Sequence, residues 1–325
     1  MVSDKKTPGN NSILIEETAF IRCVNNTDRG WPKRLEPHTG MPKKLFYRGR
    51  LPDDRQPTCA IIGTRMCSPY GHRTAFEFGK KLAEQGIQII SGMAVGIDGY
   101  AQEGALAGGG TTYAVLGSGP DICYPPSNHA LFEQIPEAGG ILSEHPPGTA
   151  PLPAHFAARN RIISALADVV LVVEARLKSG TNITVDFALK QGKTVFAVPG
   201  RVGDHLSDGC NYLISQGAGI AYSPEAVISE LLSLPRPGRS EIEASASNRE
   251  LRRLQQERKL LQDTSLTENA KKIYGALSYE DTAVADDLVE QTGIGIAAVS
   301  SALSLLVLKG YAVETLQGFY QRADS

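Results

Sequence analysis

The segment that decides the fold is residues 58–98, which read TCAIIGTRMCSPYGHRTAFEFGKKLAEQGIQIISGMAVGID. Its first five residues, Thr58–Ile62, form a short apolar run typical of a buried strand, and Ile87–Ile90 form a second. Between them, Tyr70–Gln85 has the length and spacing of a helix, which Gly86 ends. A strand, a helix and a second strand in this order indicate a crossover between parallel strands.

The same alternation continues along the chain beyond this segment. The run at 167–173 is too continuously apolar for a strand with one solvated face, which indicates burial on both sides. The further predicted strands are Thr111–Leu116, Ala167–Val173 and Thr194–Val198, and the further predicted helices are Ile97–Ala107 and Thr181–Gln191. The sequence therefore predicts the α/β class, with a doubly wound parallel sheet.

A change in composition after Leu234 divides the chain. Residues 1–57 are poorly periodic and are predicted to be a lead-in segment that packs on the main domain, residues 58–234. Residues 235–268 are predicted to be a linker, polar at first, that carries a basic amphipathic helix at Arg249–Gln262. Residues 269–325 have a helix-turn-helix pattern followed by two short strands, which predicts a small C-terminal winged-helix domain.

The composition limits the classes of function. With 325 residues, a net charge of −2 and 42% hydrophobic residues, the chain reads as an ordinary globular protein without an overall basic charge. The five cysteines form no C-x-x-C pair and the six histidines show no paired spacing, so neither a disulfide framework nor a metal site is expected. No signal core and no membrane-length apolar run are present, so a cytoplasmic location is expected.

Glycine-rich turns follow the predicted strands and carry basic residues. Because ligands of open parallel sheets bind at the carboxyl ends of the strands, we predict that backbone amides and cations of these turns bind phosphate. The predicted residues are Gly63, Thr64 and Arg65 in the first turn, Gly92 in the second, and Lys178, Ser179, Gly180 and Thr181 in the last. Asp98 is predicted to cap the helix that follows the second turn rather than to bind a ligand.

The segment Phe156–Arg161 opens a further helix and combines cations with an aromatic ring. The residues predicted to contact nucleic acid are Phe156, Arg159, Asn160 and Arg161. Cations near a helix start can neutralise phosphates, and a phenyl ring can stack on a base. The alternative is structural: the arginines pair with carboxylates such as Glu144 or Glu174, and Phe156 belongs to the core.

Two motifs that suggest nucleotide enzymes are incomplete. Gly117-Ser118-Gly119 lacks the third glycine of a dinucleotide-binding fingerprint, so no nicotinamide cofactor is expected. Gly192-Lys193-Thr194 resembles the end of a Walker motif, but Phe187 occupies the position of its first glycine. The phosphate-binding edge also lacks a residue set for catalysis. The sequence therefore favours a non-catalytic binder of a phosphate polymer, without catalytic residues or cofactor, over an enzyme.

The predicted winged-helix domain lacks the charge of a duplex reader. Residues 269–325 contain four cations and seven anions, and four minus seven gives −3. The predicted recognition helix, Ile296–Leu308, offers Ser300, Ser301 and Ser304, with Lys309 only at its end. Because reading duplex DNA needs a basic face, we predict that this domain contacts protein or has a structural role.

Taken in order, these motifs resemble the DprA (Smf) family of DNA-processing proteins. The resemblance runs from about Trp31 to Val227, and the winged helix also fits. The segments that carry it are 60–65, 91–98, 115–119, 124–126, 143–144, 156–164, 172–175, 178–181, 198–200 and 209–211. The resemblance implies an extended Rossmann-like domain that binds single-stranded DNA, a homodimer formed through that domain, and delivery of the strand to the RecA recombinase in natural transformation or recombination.

The resemblance also carries expectations for single positions. On the family's pattern, Arg65 and the Phe156–Arg161 segment line the DNA pocket. Some members have a lysine just before that segment, where this chain has Pro153 and Ala154. The helical N-terminal domain of some members is not expected here. The region Cys210–Ile220 is similar to the family's dimer and recombinase-contact surface.

Two other functions stay open beside DNA binding. The same superfamily resembles phosphoribohydrolases of nucleoside monophosphates, whose loop runs G-G-x-G-T-x-x-E; here Thr184 stands where the glutamate belongs, so the general acid/base is missing. A nucleotide-sensing module that does not bind DNA is the other alternative. In the favoured mechanism Phe156 stacks on a base, and successive phosphates are neutralised by Arg65, Arg159, Arg161 and Lys178.

Overall fold

The computed structural model describes residues 20–234, 253, 256–257, 259–261, 263–279, 281–316 and 318–323. The chain divides into two compact units, residues 1–239 and 240–325. The predicted polar part of the linker, residues 235–248, lies outside the described residues, as do residues 1–19 and much of the predicted helix at 249–262.

A nine-stranded sheet forms the centre of the first unit. Seven neighbouring strands, in the order β6-β5-β4-β3-β7-β8-β9, are parallel, and β2 and β1 continue the β6 edge in antiparallel pairing. The strands are β1 (Arg22–Asn25), β2 (Lys44–Gly49), β3 (Thr58–Ile62), β4 (Gln88–Ser91), β5 (Thr112–Leu116), β6 (Gly140–Ser143), β7 (Val169–Val172), β8 (Thr194–Ala197) and β9 (Gly219–Ile220). The predicted α/β class and parallel sheet are confirmed.

Helices cover the sheet and connect its parallel strands. They are α1 (Pro69–Glu84), α2 (Ile97–Ala107), α3 (His129–Ala138), α4 (Pro153–Leu166), α5 (Thr181–Lys190), α6 (Asp208–Ser215) and α7 (Pro224–Ser233). The start of α1 illustrates how the sequence sets a boundary, because the Ser68 Oγ accepts a hydrogen bond from the Gly71 amide and a proline occupies the first helical position. Strands β3, β4, β5 and β7 are buried along their whole length, as continuous apolar runs predict.

The segment before β3 contributes to the sheet, which the sequence analysis did not predict. Strand β2 pairs with β6 and β1 pairs with β2. Between β1 and β2, Trp31 and Leu35 are buried in the same core as the central strands. Arg34 donates hydrogen bonds to both carboxylate oxygens of Asp168, beside the first residue of β7, at 3.2 and 3.1 Å. These contacts attach the segment to the sheet.

Helices α1 and α2 pack with their backbones in direct contact. A Cβ atom added at Gly79 would lie 2.0 Å from the Ala101 carbonyl oxygen, and one added at Gly104 would lie 2.1 Å from the Phe76 carbonyl oxygen. No side chain fits at either position at these distances. The two glycines therefore set the spacing of the helix pair, and α2 begins directly after the second glycine-rich turn.

The second unit is a winged helix. Its elements are α8 (Glu268–Ala276), β10 (Ala283–Val284), α9 (Ala285–Thr292), α10 (Ile296–Leu308), β11 (Ala312–Leu316) and β12 (Phe319–Arg322). The strands pair antiparallel in the order β10-β12-β11. Gly293 has a φ of 68°, the left-handed conformation that turns the chain between α9 and α10. Val299, Leu303 and Leu306 are buried in the core of the unit.

Within the described residues, no single helix has both the length and the apolar character to cross a membrane. Helices α9 and α10 meet these criteria only when they are joined, and they are bent by 113° at the break between them. The same described residues contain no cluster of three or more His, Cys, Asp or Glu side chains that could hold a metal ion. All five cysteines are free.

Candidate nucleic-acid interface

A cleft of about 520 Å³ opens at the carboxyl ends of β3 and β7. Its lining comes from the turn after β3, the turn before α2, the first turns of α4, and the loop that joins β7 to α5. This is the edge of an open parallel sheet at which ligands bind. The predicted site residues that line it are Gly63, Thr64, Arg65, Phe156, Arg159, Asn160, Ser179, Gly180 and Thr181.

Three predicted site residues lie outside this lining. Gly92 lines a smaller cavity next to the cleft, which Arg65, Phe156 and Arg159 also line. Lys178 is exposed on the loop between β7 and α5, directly before lining residue Ser179. Arg161 lines neither cavity. Nine of the twelve predicted residues therefore line the cleft, and the other three do not.

A buried carboxylate fixes the turn that carries Arg65. Glu174, which is 2% exposed, accepts hydrogen bonds from the Ser68 amide at 2.9 Å and from the Ser68 hydroxyl at 2.5 Å. Its backbone carbonyl accepts from the Thr64 amide at 2.8 Å. The alternative pairing of Glu174 with Arg159 or Arg161 is wrong, because Glu174 instead bonds to Ser68 and Thr64 on this turn. Glu174 thus joins the end of β7 to the turn after β3.

Arg159 lies beneath the cleft rather than on its surface. It is 4% exposed, and its Nη1 donates hydrogen bonds to the Gly92 carbonyl, at 2.8 Å, and to the Val115 carbonyl. Burial lowers the pKa of Arg159 to about 10, against the opposing effect of nearby Asp98. A guanidinium held in this way ties α4 to the ends of β4 and β5. We therefore reassign Arg159 from phosphate contact to support of the cleft floor.

Asp98 does not cap its own helix, so that prediction is wrong. The N-cap residue of α2 is Gly96, which makes no side-chain cap. The Asp98 carboxylate instead accepts a hydrogen bond from the Gly92 amide at 3.1 Å. Burial raises the pKa of Asp98, while Arg159 and this hydrogen bond oppose the rise. A Cβ at Gly92 would lie 2.3 Å from the Arg159 Nη1, so a side chain at residue 92 would displace the guanidinium.

Arg161 forms an ion pair with Glu144, which is the structural alternative to DNA contact that the sequence left open. Nη1 and Nη2 donate to the two carboxylate oxygens at 2.9 and 2.7 Å, and the two side chains are 17% and 16% exposed. Its Nε donates to the Gly40 carbonyl at 2.9 Å. The fork-shaped contact joins α4 to the end of β6 and to the β1–β2 connection. This geometry indicates a structural role for Arg161.

Phe156 lines both the cleft and the smaller cavity. Its ring stacks on the Tyr124 ring with centroids 5.2 Å apart and an interplanar angle of 27°. The Arg65 guanidinium carbon lies 5.8 Å from the Phe156 ring centroid. Phe156 is half-buried. An aromatic ring in this position has apolar support on one side and open space beside it, as a stacking platform requires.

One cation of the cleft, Arg176, was not among the residues predicted from the sequence. Arg176 is exposed, lines the cleft on the loop after β7, and makes no ion pair among the described residues. Arg65 is likewise exposed and without an ion pair in the described part of the chain. Arg176 could have been predicted from its position, four residues after the last residue of β7, because ligands bind at such strand ends.

The comparisons with known proteins agree with this geometry. A family model described as DNA recombination-mediator protein A matches residues 22–232, more than half of the chain. The chain belongs to the DprA family. A second model, the DprA winged helix domain, matches residues 258–318. The family assignment that the motifs suggested is therefore confirmed.

Relatives of this DprA family member are similar over most of its length. DNA processing protein DprA of Streptococcus pneumoniae is 42% identical over 203 residues, which cover 62% of this chain and 72% of the relative. Protein Smf of Synechocystis is 36% identical over 314 residues, covering 91% and 78%. These proteins represent both names under which the family is known.

Solved structures of DprA proteins share the fold. The X-ray structure of DNA processing protein A from Streptococcus pneumoniae has a TM-score of 0.63 and 39% identity, covering 68% of this chain and 78% of that one. A structure of the Helicobacter pylori protein has a TM-score of 0.59 and 35% identity, covering 66% and 98%. That structure concerns the single-stranded DNA binding mode of the Helicobacter pylori protein.

Proposed function

We propose that this protein binds single-stranded DNA in the cleft and delivers the strand to the RecA recombinase, without catalysing a reaction. The observation that carries the proposal is the pair of exposed guanidinium groups, Arg65 and Arg176, at the carboxyl edge of the parallel sheet beside the Phe156 ring. Cations that follow a backbone, together with an aromatic platform, are the recurring parts of single-strand sites. The binding mode described for the Helicobacter pylori relative supports the same ligand.

The proposed phosphate contacts differ from those expected from the sequence. Arg65 and Arg176 line the cleft, and Lys178 is exposed next to it, so these three cations contact successive phosphates. The loop residues Ser179, Gly180 and Thr181 supply hydroxyl and amide groups at the start of α5, where the helix dipole favours anions. Arg159 and Arg161 act indirectly, by holding the cleft in shape.

The residues of the cleft support a binding role. Among the lining residues the single carboxylate is Asp98, which is buried and engaged with the Gly92 amide, so it has poor access to a substrate. Thr184 lines the cleft where the related phosphoribohydrolase loop has a glutamate, and a threonine cannot serve as the general acid/base. Both features favour binding over hydrolysis.

We propose that the functional form is a homodimer and that dimer formation increases affinity for long strands. The last part of the first unit exposes apolar side chains, among them Ile220 on the edge strand β9 at 48% and Tyr222 at 77%. A sheet edge with exposed apolar side chains is a common site of association. Two clefts in one particle raise the effective concentration of the second contact.

The test is a salt series with fluorescent oligo-dT and with a duplex of equal length. We expect the protein to prefer the single strand, with affinity that falls steeply as salt rises. The double variant Arg65→Ala/Arg176→Ala should flatten the slope of log K against log salt by about 1.4, since each phosphate contact on a single strand contributes about 0.7.

A matched control removes two cations elsewhere. Arg29 is exposed on the turn after β1 and Lys190 is exposed at the end of α5 opposite the cleft, so Arg29→Ala/Lys190→Ala should leave the slope unchanged. If the slope of log K against log salt flattened equally in both double variants, the proposed phosphate contacts of Arg65 and Arg176 would be contradicted. Delivery to RecA is measured separately, as RecA filament assembly on the strand with and without this protein.

The alternative functions, which act on a mononucleotide instead of DNA, are tested by adding a nucleoside monophosphate to the same titration. The cleft volume of about 520 Å³ is within the range of small-molecule sites, so a mononucleotide would fit. If the protein bound neither strand but a nucleoside monophosphate bound tightly, the nucleotide-sensing alternative would replace DNA binding. Release of free base from that monophosphate would indicate the phosphoribohydrolase-like alternative.

A further inference from the structure

Two histidines stack on each other at the start of α4, next to Phe156. The rings of His145 and His155, which we call the histidine pair, lie with centroids 3.9 Å apart and an interplanar angle of 24°. His145 is on the loop after β6, and His155 is in the first turn of α4, directly before Phe156. Neither histidine lines the cleft or the smaller cavity next to it. The phosphate contacts proposed above do not use these side chains.

The position of the first turn of α4 depends on this pair. Leu152, the N-cap residue of α4, has no polar side-chain atom that could cap the helix. His155 Nδ1 lies 3.2 Å from the Gly117 carbonyl oxygen, and because a carbonyl oxygen only accepts, this nitrogen donates its hydrogen. A Cβ atom added at Gly117 would lie 2.8 Å from the Phe156 Cδ1, so the turn after β5 also touches the Phe156 ring. The Gly117 carbonyl and the His145 ring thus hold His155, and with it Phe156, against this turn.

His145 is attached to the sheet by its backbone, and one nitrogen of its ring is buried. Its amide donates a hydrogen bond to the Ser143 Oγ at 3.0 Å, and that hydroxyl donates to the Ser118 carbonyl at 2.6 Å. Within the described part of the chain, the buried His145 Nε2 makes no hydrogen bond. A charged imidazole carries a hydrogen on both nitrogens, so a proton taken up in place would leave a buried N–H without an acceptor. The stacked arrangement therefore requires a neutral His145.

The groups that face His145 from the neighbouring elements also disfavour a charge on its ring. Burial lowers the pKa of His145 below the ordinary 6.5, and His155 and Arg161, both on α4, lower it further. Glu144, at the end of β6, has the opposite effect, but both of its carboxylate oxygens accept hydrogen bonds from Arg161. Asp121, on the loop after β5, is hydrogen-bonded at 2.9 Å to the backbone amide three residues after His145. The surroundings of the ring thus favour its neutral form.

We propose that the neutral histidine pair positions Phe156 for DNA, and that mild acid separates the pair, so that affinity for the single strand falls with pH. This inference rests on the proposed function. His145 accepts a proton when its ring leaves the stack, and His155 then loses one of its two contacts. The first turn of α4 is no longer held against the turn after β5, and the Phe156 ring loses its place as a stacking platform. Both histidines are positioning residues, because they act on DNA through Phe156.

The sign of this pH dependence distinguishes the proposal from simple charge attraction. A histidine near DNA gains positive charge as pH falls, which strengthens its attraction to phosphate. A pair that positions Phe156 only while His145 is neutral has the opposite effect. Its contribution to affinity is present above pH 6.5 and is lost as pH falls through the lowered pKa of His145 in the folded protein.

The experiment measures the Kd of fluorescent oligo-dT at pH 7.5 and at pH 5.5 at one salt concentration, with circular dichroism to establish that the protein is folded at both. For wild type, the Kd should rise in acid by about 5-fold or more, since base–aromatic stacking contributes at least that factor per base. His145→Phe keeps a ring in the stack and removes the titrating group, so this rise should be absent. His129→Phe, at an exposed histidine that begins α3, is the matched control and should keep the wild-type rise.

A second variant tests the route through Phe156. Phe156→Leu removes the platform, so its Kd should be higher than that of wild type at pH 7.5 and should not rise further in acid. If wild-type affinity were unchanged or stronger in acid, or if His145→Phe or Phe156→Leu showed the full rise, the positioning role of the pair would be overturned while DNA binding stood. Failure of the wild-type protein to bind oligo-dT at pH 7.5 would overturn the proposed function itself.

Discussion

At the scale of single residues, Arg159 and Arg161 show that two arginines in one helical turn have different surroundings. Arg159 is held by backbone carbonyls of Gly92 and Val115, whereas Arg161 forms a two-pronged ion pair with Glu144. Both arginines stand in a motif that resembles a DNA-contact segment. Their partners are distant in the sequence, so the spacing of the motif could not distinguish a supporting guanidinium from an exposed one.

Arg161→Ala should lower stability and leave the salt dependence of DNA binding intact. The substitution leaves Glu144 partly buried without its partner, and hydrogen bonds to charged groups contribute about 1.5–3 kcal/mol. The free energy of unfolding from urea titration is the measurement, with Glu144→Ala and the double variant completing a cycle. If the folded Arg161→Ala protein had a flatter salt slope than wild type, Arg161 would contact phosphate after all.

His145 should make the protein less stable in mild acid. Its ring stacks on His155 with centroids 3.9 Å apart, and burial lowers its pKa below the ordinary 6.5, as do His155 and Arg161, against the opposing effect of Glu144. The unfolded chain therefore binds this proton at higher pH than the folded protein does. The stability that results is present above pH 6.5 and is lost as pH falls through the folded pKa.

The His145→Phe variant isolates this contribution because it keeps an aromatic ring and removes the titrating group. Melting temperatures at pH 7.5 and at pH 5.5 should differ less in His145→Phe than in wild type. Every other titrating group is common to both proteins and cancels in the comparison. Equal pH dependence in the two proteins would show that the His145 pKa is not lowered by folding.

At the scale of elements, continuous apolar runs predicted the central strands β3, β5, β7 and β8, with bounds within two residues. Strands β3, β5 and β7 are buried along their whole length, so the apolar pattern is clear, and β8 alternates between buried and partly exposed residues. Strand β2 was missed because only part of it is buried, and its sequence mixes lysine, arginine and aromatic residues. Strand β6 is four residues long and begins with glycine, which weakens the signal of a strand.

The turns of the site were predictable for the same reason as the strands. Glycines and cations directly after buried runs mark the carboxyl edge of a parallel sheet, and nine predicted residues line the cleft there. Tyr124 could not be placed from spacing, because the stack with Phe156 joins the loop before α3 to α4. Contacts between distant loops arise from the folded sheet and leave no local pattern.

The exposed residues of α10 are serines and apolar side chains, the latter including Ile296 and Leu308. The Ser301 hydroxyl donates to the Ala297 carbonyl and the Ser304 hydroxyl to the Ser300 carbonyl, both at 2.9 Å, so these groups are turned to their own helix. Lys309, at the helix end, contacts Ser265 and Asp263. The face that would enter a major groove thus offers DNA little charge, which agrees with a protein-contact role.

A chain that ends at residue 234 should therefore bind duplex DNA as weakly as the full chain does and should keep the preference for single strands. The first unit has its own core, so the shortened chain is expected to fold. Fluorescence anisotropy with duplex and oligo-dT at fixed salt is the measurement. A large loss of duplex binding on removal of the winged helix would contradict the charge argument.

At the scale of the whole molecule, the proposed dimer would link affinity to strand length. Ile220→Glu/Tyr222→Glu places charges on the exposed sheet edge and should give a monomer by light scattering. The monomer should bind a strand too short to reach two clefts as wild type does, and a long strand more weakly. Leu189→Glu, at an exposed leucine on α5, is the control and should remain dimeric. If the Ile220→Glu/Tyr222→Glu variant remained dimeric, the dimer interface would lie on another surface.

The contact between α1 and α2 has a consequence for mutational surveys. Gly79 and Gly104 line neither the cleft nor the smaller cavity next to it, yet any side chain there meets backbone of the neighbouring helix at about 2 Å. In a survey of all single substitutions scored by the proposed binding of single-stranded DNA, both glycines will be as intolerant as Arg65. A tolerance map drawn from such scores would show a false second site behind the sheet. Scoring soluble protein abundance in parallel separates the two classes, because Arg65 variants accumulate normally and Gly79 variants do not.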